Sequence, residues 1–137
     1  MAKISVVIPV YNAEATVHVL YNRLRAALES ITADFEILLI EDCGRDRSWD
    51  IIVELARQDP RVKGIRFSRN FGHQSALSAG LDHADGAVLI VMDGDGQHPP
   101  ELIPQLLARH REGFDIVLTT REKTDDSGWF KRASSSL

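Results

Sequence analysis

Apolar positions along this chain change their period again and again. Residues 3–10, KISVVIPV, form a short, nearly continuous, β-branched run, the pattern of a strand buried on both faces. From Glu14 onward the spacing switches: Val17, Leu20, Tyr21, Leu24, Leu28 and Ile31 fall on one helical stripe. FEILLIE predicts a second strand, and Trp49, Ile52, Leu55 and Ala56 a second helix that stops near QDP, because the residue before Pro60 disfavours helix. VKGIRF is a third strand. Ala76, Leu77, Gly80 and Leu81 predict a helix between Gln74 and Ala84 that packs closely enough on a sheet to want glycine. GAVLIVMD is a fourth strand. Pro99 and Pro100 suit a first helical turn, and Leu102, Ile103, Leu106 and Leu107 give that helix its buried face before FDIVLT closes the series as a fifth strand.

Strands alternating so regularly with helices predict a doubly wound, mostly parallel α/β sheet with right-handed crossovers. Ligands of such sheets sit beyond the carboxyl ends of the strands. Four polar segments occupy that edge: PVYNAE, EDCGRD, SRNFGHQ and DGDGQH. The tail TDDSGWFKRASSSL has no clear periodicity, and its SSSL end reads as frayed. The division expected is an α/β domain over 1–120 and, over 121–137, the start of a further segment or a disordered tail.

Composition narrows the classes. The 137 residues, 44% hydrophobic, suffice for one packed domain and not for two of ordinary size. A net charge of −4 offers no basic footprint for a nucleic-acid groove. Cys43 is the sole cysteine, which excludes an intramolecular disulfide and fits a reducing, cytoplasmic compartment. The longest apolar runs fall far short of the roughly 20 residues that span a bilayer, and no signal peptide is visible.

Candidate chemistry concentrates at the predicted ligand edge. Neither GxxxxGK[ST] nor GxGxxG follows the first strand, so ordinary ATP-loop and NAD sites are excluded. DGDG would suit a hairpin, but a helix start with two prolines follows it. Asp93 and Asp95 therefore occupy a strand-to-helix turn, where carboxylates two apart present hard oxygen ligands for Mg²⁺ or Mn²⁺ bridging a diphosphate. Asp42, at the end of the neighbouring strand, suits equally a nucleobase N–H acceptor and a turn or capping acid. Asp46 reads as a helix cap. Cys43 reads as a packing residue and Trp49 as core. His18 and His83 are expected on helix surfaces, and His73 and His98 at the ligand edge.

Taken in order, ISVVIPVYNAE, ILLIEDCGRDRSWDII, RNFGHQSALSAGLDHADG, VMDGDGQHPPELIPQLL and DIVLTTREK with KRASS resemble family 2 glycosyltransferases of the GT-A fold. Within that family the pattern is similar to the branch of dolichyl-phosphate mannose synthases and bactoprenol glucosyltransferases. The resemblance implies a nucleotide pocket lined by Pro9, Tyr11 and Asn12, with Asp42 on the base. It makes Asp93 and Asp95 the catalytic pair: Asp93 against ribose and diphosphate, Asp95 on the divalent metal with Asp93 and Gln97, Gly94 in the donor-binding set, and Arg121 near the diphosphate. Two departures are plain. Ala13 stands where an acid usually follows YN, for which Glu14 is the substitute, and Gly96 stands where Leu is usual.

Catalytic domains of the family usually continue for roughly another hundred residues, comparable to a further half-domain. The resemblance thus implies the nucleotide-sugar-binding half of a truncated, metal-dependent inverting transferase. Its donor would be a UDP-hexose, its acceptor a polyprenyl phosphate at the inner membrane face, and its membrane contact peripheral, through the further C-terminal part. A homodimer is expected on the face that part would cover. The rival reading is a non-catalytic nucleotide-binding or interaction module.

Overall fold

A computed structural model describes residues 3–93, 99–110, 116–119 and 130–133. Strands β1 (Ile4–Val10), β2 (Phe35–Glu41), β3 (Val62–Arg66), β4 (Val88–Val91) and β5 (Ile116–Thr119) alternate with helices α1 (Val17–Glu29), α2 (Ser48–Gln58), α3 (His73–His83) and α4 (Ile103–His110). A further strand, β6 (Phe130–Ala133), ends the series. Each of the five strands and four helices expected from the hydrophobic pattern is present, with ends shifted by a few residues. Pro100–Leu102 forms a separate 3-10 turn before α4 rather than its first α-helical turn. β6 has no counterpart in the expected elements.

The six strands lie in the order β3-β2-β1-β4-β5-β6. β1 to β5 pair in parallel and β6 runs antiparallel to β5. The chain thus winds outward from β1 to one edge, then returns to β4 and winds to the other. That reversal puts a topological switch between β1 and β4, beyond whose carboxyl ends a crevice is expected.

Alternation along the strands divides the core into two layers. Ile4, Val6, Ile8 and Val10 of β1 join Phe35, Ile37 and Leu39 of β2 against the stripe Val17, Leu20, Leu24 and Leu28 of α1, with Ile52 and Leu55 of α2 and Ile103 and Leu107 of α4. Burying each such aliphatic side chain stabilises the fold by about 1.5–3 kcal/mol. Leu106 lies outside the described side chains. On the opposite face Val7, Leu38, Ile40 and Val91 pack against Ala76 of α3.

Gly80 explains how α3 approaches so closely: a Cβ there would strike the Val7 side chain and come within 2.8 Å of Ile40 Cδ1. The glycine expected from the sequence is a packing requirement of this layer. Leu81, counted with the apolar set of α3, is instead 39% exposed, because β1 and β2 meet the narrow Ala76–Gly80 face. Among the described residues no helix is long and apolar enough to cross a membrane.

Candidate functional site

β1 and β2 end side by side, and the loops that leave them are sewn together by backbone donors and side-chain acceptors. Asn12 Oδ1 accepts the Arg45 N–H at 2.9 Å, Ser48 Oγ accepts the Ala13 N–H at 2.8 Å, and Asp46 Oδ2 accepts the Glu14 N–H at 2.9 Å. In return Glu14 Oε1 accepts the Arg47 N–H at 3.3 Å. Asp46 Oδ1 also takes the Ser48 N–H at 3.0 Å, at the first turn of α2. The N-cap of α2 is Arg47, which makes no side-chain cap bond, so Asp46 serves the helix start from one residue outside the cap position expected of it. Desolvation alone would raise its pKa, but hydrogen bonds from Ser48 and from the Glu14 N–H reverse that and hold it below the ordinary carboxylate range.

Two non-glycine residues in these loops have left-handed backbones, Asn12 at φ 51° and Cys43 at φ 57°. Such residues persist where their surroundings over-determine them. For Cys43 the surroundings are Glu41, whose carboxylate is 1% exposed: Oε1 accepts the Cys43 N–H at 3.1 Å and Oε2 the Gly44 N–H at 2.6 Å. Arg66 Nε adds a bond to Oε1 at 3.2 Å. At Gly44 a Cβ would collide with the Asn12 side chain, so the two loops meet only because this residue has none.

Asp42 is the centre of the edge. It is 4% exposed, yet it lines a cleft of about 220 Å³ with Pro9, Val10, Tyr11, Asn70 and His73. Its Oδ1 accepts the Phe71 N–H at 2.8 Å and its Oδ2 the Gly72 N–H at 3.0 Å, which ties the end of β2 to the loop before α3. Across the cleft Tyr11 is 54% exposed, so its ring is available to a ligand. A preformed pocket with one aromatic wall and a buried carboxylate at its base suits a planar, N–H-donating heterocycle.

Of the residues singled out from the sequence, Pro9, Tyr11 and Asp42 are brought together in this cleft. Asn12 and Glu14 are exposed and engaged in joining the two loops. Asp93 is half-buried just past β4, next to Met92, whose N–H reaches the Val7 carbonyl at 3.0 Å. Gly94, Asp95, Gln97, His98 and Arg121 lie outside the described residues. Among the described residues no group of three or more His, Cys, Asp or Glu side chains converges as a metal site. Asp93, at the carboxyl end of β4, is a hard oxygen donor of the type that Mg²⁺ or Mn²⁺ takes. His73 opens α3 at the ligand edge, while His18 and His83 are exposed on helices, as expected. Trp49 is half-buried against the core, its ring edge beside Gly64.

Asn70 and Gly72 were not singled out as site residues. Their segment, SRNFGHQ, was legible as a ligand-edge loop, but which of its atoms face the cleft depends on the Asp42 tether.

Comparison with known proteins identifies the family and the fold. The chain is 41% identical over 133 residues to the uncharacterized glycosyltransferase YkcC of Bacillus subtilis (strain 168), a match covering 97% of this chain and 41% of that protein. The crystal structure of S. aureus TarS 1-349 in complex with UDP-GlcNAc superposes with a TM-score of 0.70 at 27% identity, over 91% of this chain and 36% of that one. GalNAc-T7 with UDP, GalNAc and Mn²⁺ superposes with a TM-score of 0.56 at 26% identity, over 69% of this chain and 18% of that one. The chain therefore spans well under half the length of these relatives, and its sheet is that of the GT-A glycosyltransferases. Glycosyl transferase family 2 matches residues 5–136, and the chain belongs to that family.

Proposed function

We propose that this chain is the nucleotide-sugar-binding part of a glycosyltransferase that moves a hexose from a UDP-sugar to a polyprenyl phosphate, with inversion at the anomeric carbon. The observation that carries the reading is the cleft in which Pro9, Tyr11 and Asp42 converge at the β1–β2 carboxyl edge. Its shape suits a base stacked beside Tyr11, with an imide N–H donated to a remaining lone pair of Asp42. The TarS complexes with UDP and UDP-GlcNAc, on a similar sheet, support a uridine donor.

From that base position the ribose and diphosphate would extend toward the carboxyl end of β4, where Asp93 stands. Asp93 and Asp95, with Gln97, would hold Mg²⁺ or Mn²⁺, and the ion supplies Lewis-acid stabilisation of the leaving diphosphate. The GalNAc-T7 complex with Mn²⁺ supports a divalent ion in this fold. By the family resemblance Gly94 would belong to the donor-binding set and Arg121 would approach the diphosphate. A phosphomonoester acceptor has a second pKa near 6 and is largely a dianion at neutral pH, so attack on the anomeric carbon needs no strong general base. A lipid phosphate acceptor implies work at the cytoplasmic membrane face, through peripheral contact.

Isothermal titration of the chain with UDP, GDP and UDP-GlcNAc, in Mn²⁺ and then in excess EDTA, tests the reading. UDP binding that requires the cation is expected; equal heats in EDTA, or none for any nucleotide, would sink it. Binding without transfer to a polyprenyl phosphate would instead favour a non-catalytic nucleotide-binding module. Light scattering reads the proposed homodimer.

A further inference from the structure

Asp42 does more in the ligand-free chain than wait for a base. Its backbone N–H is bonded to the Val10 carbonyl at 2.9 Å, which fixes it to β1. Its two carboxylate oxygens take the successive N–H groups of Phe71 and Gly72 at 2.8 and 3.0 Å. Gly72 in turn begins α3: its carbonyl accepts the Ala76 N–H at 3.1 Å, the first bond of the helix, and its φ of 99° is a conformation that L side chains rarely adopt. Asn70, Gly72 and His73 line the cleft from this segment.

We propose that Asp42 is a positioning residue: by clamping the Phe71 and Gly72 amides it holds the 70–73 backbone as a preformed wall of the cleft. The inference rests on the nucleotide reading of that cleft only for its effect on affinity. A buried carboxylate held by two backbone donors is rigid, so the base meets a formed acceptor and a formed wall, and little ordering accompanies binding. Asn at this position offers one acceptor oxygen and a donating amide, so one of the two N–H groups loses its partner. Gly72→Ala disturbs the same wall independently, since a Cβ there meets nothing within 4 Å and acts only through the positive φ.

The test uses backbone amide exchange followed by nucleotide titration. In the wild-type chain without nucleotide the Phe71 and Gly72 amides should be protected like those of β2, and in Asp42→Asn at least one of the two should exchange about tenfold faster while β1 amides are unchanged. UDP affinity in Mn²⁺ should fall about tenfold in Asp42→Asn and also fall in Gly72→Ala, with the double variant little worse than the poorer single one. Loop-like exchange of those two amides in the wild type overturns the proposal without any variant, and strictly additive losses of affinity overturn it in favour of a pure base contact. Should UDP fail to bind the wild type, the nucleotide reading falls while the exchange rates still decide whether Asp42 holds the wall.

Discussion

The two ends of the same sheet both bury carboxylates, and they satisfy them differently. At the amino end Glu36, 1% exposed, is met mostly by side chains: Ser5 Oγ donates to it at 2.6 Å, Lys63 Nζ at 2.7 Å, and the Asp85 N–H at 2.7 Å. On the other face of that end Asp59 receives the Tyr21 hydroxyl at 2.6 Å and the Arg61 guanidinium, which also reaches Glu29 at 2.8 Å. At the carboxyl end Glu41, Asp42 and Asp46 are held chiefly by backbone N–H groups of the loops. Side-chain partners neutralise an acid and lock strands together. Backbone partners fix a loop's path, with Arg66 alone, among the described residues, adding a counter-charge, at Glu41. The amino end is thus built for stability and the carboxyl end for shape.

The largest effect should follow from breaking the amino end. Glu36→Ala leaves the Asp85 N–H and Ser5 without their acceptor and Lys63 without its counter-charge, a loss of about 3 kcal/mol. Urea unfolding should register it, while UDP affinity of the folded protein stays unchanged. A weakened affinity with normal stability would reverse the assignment of the two ends.

Next in size is a pH dependence from the other amino-end network. Desolvation works to raise the Asp59 pKa, but bonds from Arg61 and Tyr21 prevail and bring it from 3.8 to about 2. A depressed acid stabilises the fold above its unfolded pKa near 4, and that contribution, on the order of 2 kcal/mol, is lost as pH falls toward 2. Tyr21 shifts the other way, from 10.0 to about 12, through its own burial and the Asp59 hydrogen bond. Its contribution is present below pH 10 and lost as pH rises through about 12. Thermal melts of Tyr21→Phe should lack the alkaline loss and lose part of the acid one; a wild-type profile flat from pH 2 to 5 would contradict the Asp59 contribution, and one flat from pH 10 to 12 the Tyr21 contribution.

These two ends were not equally legible in the sequence. Strands and helices were, because each apolar run has one period and the register merely aligns it. β6 was not: FKRA carries too little apolar pattern to announce a strand, and its place depends on β5. Glu36 and Glu41 both sit in FEILLIE, where nothing local reveals that Lys63 and Ser5 await one and the Cys43 and Gly44 amides the other. At the site Asp42 was identifiable from its position at a strand end, whereas Pro9 and Tyr11 were singled out only by the family resemblance, within a segment, PVYNAE, that the strand pattern puts at the ligand edge. The loop-joining bonds of Asn12 and Glu14 were not, since their partners lie 33 residues away and are donated by backbone, which carries no sequence signature.

A smaller effect, now on ligand rather than on stability, is expected from Asp93→Asn. A half-buried acid past β4 contributes little to the core, so melting should hardly change, whereas Mn²⁺-dependent UDP affinity should fall about tenfold, or about 1.4 kcal/mol. Titration across Mn²⁺ concentrations reads the metal linkage directly; affinity unaltered at every concentration would remove Asp93 from the site.

The smallest effect tests whether a carboxyl-end acid can be purely architectural. Asp46 accepts the Ser48 N–H at the start of α2 and the Glu14 N–H from the neighbouring loop, so Asp46→Ala removes the acceptor of one helix-start amide and one stitch between loops together. Loss of one such hydrogen bond costs about 1 kcal/mol. The remaining stitches, Asn12 to Arg45 and Ala13 to Ser48, still hold the loops, so the β1–β2 edge should keep its form and UDP affinity should change less than twofold, within about 0.4 kcal/mol. Asp46→Asn retains one acceptor oxygen and should recover part of the lost stability. Because the Asp46 pKa is lowered, the stability it supplies is present above the ordinary carboxylate range and fades as pH falls below it, a slope that Asp46→Asn should lack. If Asp46→Ala destabilises the chain as much as Glu36→Ala, the carboxyl end carries stability as well as shape, and the contrast between the two ends of the sheet fails.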